Sequence, residues 1–138
     1  NEKAELDQIA VNLKIFFDKA MESGLLELQE AKQQTRLLQT ALGETNEPIE
    51  WKRKVVSDFY AFYAQRAVGR RMKALFDAID EMLSNGVRLG KWTEGKITSE
   101  WVPMLTKQLN DESLSIENKE KLVKEFLEKR KRQIARSS

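Results

Sequence analysis

Arg66, Arg70, Arg71 and Lys73 fall within about two helical turns of one another, and Arg88, Lys91 and Lys96 follow shortly after. Guanidinium and ammonium groups at that density could grip the phosphates of a nucleic acid, positioning it without reading its bases. Phe59, Phe62 and Tyr63 lie close by, and aromatic rings near cations can stack on exposed bases. The same rings are also wanted by a hydrophobic core. The cations, for their part, can be matched by acidic groups elsewhere in the chain, and this internal pairing is the preferred reading. The run Lys129-Arg130-Lys131-Arg132 resembles a basic targeting or lipid-surface tail, but positive charge is also what the last turns of a helix favour.

Catalytic side chains are scarcer. The 138 residues include no histidine and no cysteine, the commonest proton shuttle and the most reactive nucleophile. Serine or threonine nucleophiles would have no imidazole to activate them. Gly86, Gly90 and Gly95 have the wrong spacing for a phosphate loop and follow a helical pattern rather than a strand. Carboxylates are the remaining candidates. Glu27 and Glu30 stand three apart, while Asp77, Asp80 and Glu81 share an arc of another helical segment. Were those helices antiparallel neighbours, Glu27, Glu30, Asp77 and Asp80 could hold magnesium for an all-helical nucleotide phosphohydrolase. Acidic pairs at this spacing are ordinary on amphipathic helices, so this reading ranks last, and no cofactor or metal site is assigned.

Hydrophobic spacing shows what must position these groups. Leu6, Ile9, Leu13, Phe16 and Ala20 make one helical stripe; Leu28, Ala31, Leu38 and Leu42 continue it after Ser23-Gly24. Residues 3–42 are therefore one helix through a tolerated glycine, or two helices separated by a left-handed cap. Gly43 to Pro48 is a clear break. A long helix is predicted over about 48–83, with Val55, Phe59, Phe62, Met72, Phe76, Ile79 and Leu83 on one face. Gly69 would permit a kink or a close crossing there. Ser84-Asn85-Gly86 is predicted to end this helix, leaving Val87 to Thr98 as a loop pinned by Trp92. A short helix capped by Thr98 or Ser99 should follow, with Pro103 in its first turn. A last helix is predicted from about Ile116, ending in a fraying Ser137-Ser138.

These elements make an all-α domain: a four- or five-helix bundle around the long helix, taken as a single unit over residues 1–138. Beginning at Asn1, the chain is expected to be a fragment or a processed product, and it has no apolar run of transmembrane length. Residues 1–48 carry five basic and nine acidic groups, residues 49–98 ten and six, and the remainder nine and seven. An acidic first third beside a basic remainder suits pairing between packed helices. The expected function is that of a non-enzymatic helical interaction or assembly module, engaging a protein partner or a second copy. Trp51, Tyr60 and Trp92 are its expected interface residues, because aromatic groups make interaction hot spots. The alternative is an accessory nucleic-acid-binding protein using the Arg66–Lys96 cations.

Overall fold

The structure, a computed structural model, describes residues 1–136. The fraying expected at Ser137-Ser138 lies outside them. Every regular element among the described residues is helical: α1 (Glu2–Glu22), α2 (Leu28–Leu42), α3 (Ile49–Arg88), a single turn α4 (Glu94–Lys96), a π-helical turn (Ile97–Trp101), α5 (Val102–Leu109) and α6 (Ile116–Ala135). The all-α architecture with a long helix is therefore as the hydrophobic spacing predicts. The chain divides into two compact units, Asn1–Ala67 and Val68 onward, and α3 contributes to each.

The first unit joins α1, α2 and the first part of α3. Residues 3–42 form two helices. Gly24 takes the left-handed conformation at φ 79°. The Leu25 and Gly24 amides donate to the carbonyls of Ala20 and Met21 at 2.8 and 3.1 Å, the crossed pair of a Schellman cap. That turn carries Leu26 into the core beside Leu13, Phe17, Ala20, Ala31, Leu38, Phe59 and Tyr63. Burying each large side chain contributes about 1.5–3 kcal/mol, so this cluster, rather than helix propensity, holds the three helices together. Phe62 departs from the expected buried face and is 56% exposed. Val55, Phe59 and Tyr63 take the side turned to α1 and α2, and Phe62, a quarter-turn round the helix from Tyr63, is left outside.

The second unit is built on the rest of α3, which continues past the expected stop. Gly86 lies inside the helix, and the turn falls at Gly90, with φ 71°. There the Lys91 and Gly90 amides donate to the Gly86 and Val87 carbonyls at 2.8 and 3.0 Å, a second Schellman cap. Gly86 has a different task. A Cβ at this position would sit 1.8 Å from the Trp92 ring, so the bare backbone makes room for the indole. Gly69, by contrast, has nothing within 4 Å and supports no close crossing.

The predicted loop from Val87 to Thr98 is consequently much shorter. Only residues 89–93 separate α3 from α4. Thr93, not Thr98 or Ser99, provides the cap, its Oγ1 accepting from the Lys96 amide at 3.1 Å. Thr98 and Ser99 fall in the π turn, which leads directly into α5. Pro103 explains the widening: it cannot donate to the carbonyl four residues back, and its ring would crowd that carbonyl in a regular helix. Ser115 caps α6, accepting from the Asn118 amide at 3.1 Å. The core comprises Ile79, Leu83, Trp92, Trp101, Leu105, Leu109, Val123 and Phe126. Trp101 meets Trp92 and Phe126 edge-on, with centroids 5.0 and 5.8 Å apart. Phe76, expected on the buried face, is about half exposed. Leu75 and Met82 line a furrow with Val123 and Leu127 of α6, and Phe76 lies a quarter-turn beyond Leu75.

Candidate interaction surfaces

The expected phosphate-binding cations are largely committed within their own units. In the first, Arg66 Nη1 donates to Glu30 Oε1 at 2.7 Å, and Tyr63 Oη donates to the other oxygen at 2.7 Å. The Arg66 guanidinium also covers the Tyr63 ring, 4.8 Å from its centroid. These two donors, Arg66 first, hold the Glu30 carboxyl below its ordinary range. Burial, reinforced by the bond to Glu30, pushes the Tyr63 hydroxyl up to about 12. Arg53 binds Glu5 through two hydrogen bonds of 2.6 and 2.7 Å, joining α3 to α1. The acidic first third is thus matched partly by cations of the long helix.

In the second unit Arg71 makes a two-pronged pair with Glu120 of α6 and reaches Glu117 at 3.4 Å. Arg70 also has an interaction partner. Lys73 pairs with Asp77 at 2.8 Å, and Arg88 donates to the Asn85 side chain. Lys91 donates to the Arg136 carbonyl at 2.8 Å. Lys96 reaches Glu100 at 3.8 Å and lies over the Trp101 ring. Arg130, from the basic tail, covers Trp101 from 4.6 Å, and desolvation lowers its guanidinium's affinity for its proton. Several of these pairs are exposed and weak.

Of the carboxylates that the phosphohydrolase reading combines, Glu27 and Glu30 fall in the first unit and Asp77 and Asp80 in the second. Glu30 serves Tyr63 and Arg66, Asp77 serves Lys73, and no group of three potential ligands comes together among the described residues. The expected interface aromatics divide. Trp51 is partly exposed, whereas Tyr60 rests against the first core and packs edge-on to Phe16 at 5.4 Å. Trp92 is 6% exposed and donates from Nε1 to the Leu83 carbonyl at 2.9 Å, which places it in the second core rather than at a surface.

Exposed apolar groups occur on several helices, Val11 and Ile15 on α1 and Phe62 and Phe76 on α3 among them, and α2 carries the most exposed, Leu37. Leu28 is 56% and Leu37 63% exposed, on opposite sides of this 15-residue helix. Leu28 lines a groove of about 570 Å³ between α1 and α2. Leu13, Phe17, Ala31 and Leu38 form its floor, and Met21, Leu28 and Leu42 its apolar walls. Leu37 lines a second cleft, of about 390 Å³, with Val55, Phe59 and Phe62 of α3. The spacing of Leu28, Ala31, Leu38 and Leu42 reveals an apolar stripe in the sequence. It does not reveal that, within the first unit, the packing of α1 and α3 on α2 leaves Leu28 exposed. No protein-family model matches the chain, and neither a curated protein nor a solved structure matches it. No helix of the described residues is long and apolar enough to cross a membrane.

Proposed function

We propose that this chain is a helical protein–protein interaction module whose binding surface is centred on α2 of the first unit. The observation that carries this reading is the exposure of Leu28 and Leu37, each beside an apolar cleft. Side chains already largely in water are where a partner gains most by completing burial. Commitment of the half-buried Arg66 and Arg71 to Glu30 and Glu120 favours this reading over phosphate binding, since a nucleic acid would have to displace those partners.

The test compares wild type with the Leu28→Glu/Leu37→Glu variant, both shown by circular dichroism to remain helical. Each is immobilised in an extract of the source cells, and its own mass in solution is measured by light scattering. Wild type should retain a defined protein or self-associate, and the variant should do neither. A monomeric wild type retaining nothing that the variant does not would end the proposal. Salt-sensitive binding of an oligonucleotide by both chains would transfer the assignment to the cations.

A further inference from the structure

The α1–α2 groove has a charge pattern as well as an apolar floor. Its α1 edge is formed by Ala10, Lys14 and Asp18, and the opposite edge carries Lys32 and Arg36. Lys14 and Asp18 stand one turn apart and 3.7 Å from each other, so the only carboxylate on the rim is already opposed by a cation. Lys32 and Arg36 have no ion-pair partner among the described residues. They are also one turn apart, pointing along the same side of α2. The rim therefore offers two uncommitted positive charges beside a strip of Leu, Met and Phe.

The dimensions suit a helix. From Ala10 to Met21 the α1 edge extends about 17 Å at 1.5 Å per residue, or roughly three turns. A ligand helix of that length presents apolar side chains at i, i+3 or i+4, and i+7, the spacing of a helix laid in a groove. We propose that the α1–α2 groove receives an amphipathic helix of a partner protein, with acidic residues flanking its apolar stripe opposite Lys32 and Arg36. The inference rests on the interaction-module reading and adds the partner's chemistry. Apolar contact supplies the adhesion; the two cations select against basic helices and orient the acidic one.

Two synthetic peptides of about four turns test it, each with leucines at i, i+3, i+4 and i+7. One is flanked by glutamates and the other by lysines. Binding to the full chain is measured by fluorescence anisotropy and mapped by amide chemical shifts. The acidic peptide should bind about tenfold more tightly at ~50 mM salt, and the difference should shrink at ~300 mM as the charges are screened. Shifts should concentrate on Leu13, Met21, Leu28 and Leu42. In Lys32→Glu/Arg36→Glu, whose substitutions lie on the rim and leave the core intact, the preference should invert.

Equal affinities, an unchanged preference in the double variant, or shifts centred on Phe62 and Leu37 would overturn the assignment. So would failure of both peptides to bind. Concentration-dependent dimerisation with shifts in the same groove would make a second copy the occupant and overturn it as well. In each of these cases the broader module reading is judged by the extract experiment, so the two failures are separable.

Discussion

Tyr63 meets two opposed demands with one side chain. Its ring is buried among Phe16, Phe59 and Phe62, while its hydroxyl must reach a polar partner and finds Glu30. Tyr63→Phe keeps the ring and removes the bond, leaving Arg66 as the donor to Glu30; chemical denaturation should show a loss of about 1 kcal/mol. The pH dependence provides a sharper signature. The folded-state pKa lies above the unfolded value near 10, so folding favours the protonated phenol. Its contribution is fully present below pH 10 and is lost as pH rises towards about 12. Tyr63→Phe should flatten that alkaline decline, with a smaller slope remaining from Tyr60, whose hydroxyl burial also pushes up. Glu30 acts in the opposite direction: its stabilisation holds above the ordinary carboxyl range and falls away in acid as its lowered pKa is passed. At Gly86 steric space, not titration, decides. Alanine is the better helix former, yet its Cβ would enter the Trp92 ring, so Gly86→Ala should destabilise the second unit by about 1–3 kcal/mol. Gly69→Ala, which meets nothing, should stabilise α3 by up to about 1 kcal/mol. Thermal melts of the two variants should therefore move in opposite directions.

At the level of elements, periodicity identified the helices well and their ends less well. The polar break at Gly43–Pro48 and the Ser115 start of α6 could be read directly, because cap and turn residues coincide with the limits of the apolar pattern. The end of α3 could not. Ser84-Asn85-Gly86 has turn composition, but composition does not register that Trp92 folds back on Gly86 and needs a residue without a side chain there. Four residues later Gly90 supplies the left-handed cap, and the misplaced stop created the apparent long loop. Likewise, Pro103 marks a disturbance of helical bonding without disclosing that a π turn will absorb it. The two left-handed glycines provide a direct check on the caps. Gly90→Ala meets no neighbouring atom, so its cost comes from φ alone and should be about 1 kcal/mol. A melt of Gly90→Ala indistinguishable from wild type would show that α3 can end without the left-handed residue.

Over the whole molecule, the sequence's apolar stripes account for much of both cores, though not for Phe17 or Leu26, and they do not identify what those cores leave uncovered. Leu13 and Ala20 on α1, and Leu38 on α2, are buried as their spacing implies, whereas Phe17, outside the predicted stripe, is buried in the core and the predicted Phe16 only partly so. Leu28 belongs to the same stripe and is exposed, because the first unit has only two other helices to place against α2. Residue type alone therefore singles out the aromatic Trp51, Tyr60 and Trp92 rather than leucines, whose exposure depends on the arrangement of neighbours. The charge pattern was more informative: the acidic first third anticipates Arg53–Glu5 and Arg66–Glu30, though no spacing rule specifies which acid meets which arginine. Each core draws its buried side chains from its own unit, so packing defects should remain local. Leu38→Ala removes a buried side chain from the first core and should cost about 2–5 kcal/mol; Val123→Ala, a smaller truncation in the second, should cost about 1–3 kcal/mol. Native-state hydrogen exchange can assign each loss to its unit. Leu38→Ala should lower amide protection chiefly over residues 2–67, and Val123→Ala chiefly over residues 68–135. Equal loss of protection throughout the chain in either variant would mean that the continuous backbone of α3 makes the two cores one cooperative folding unit.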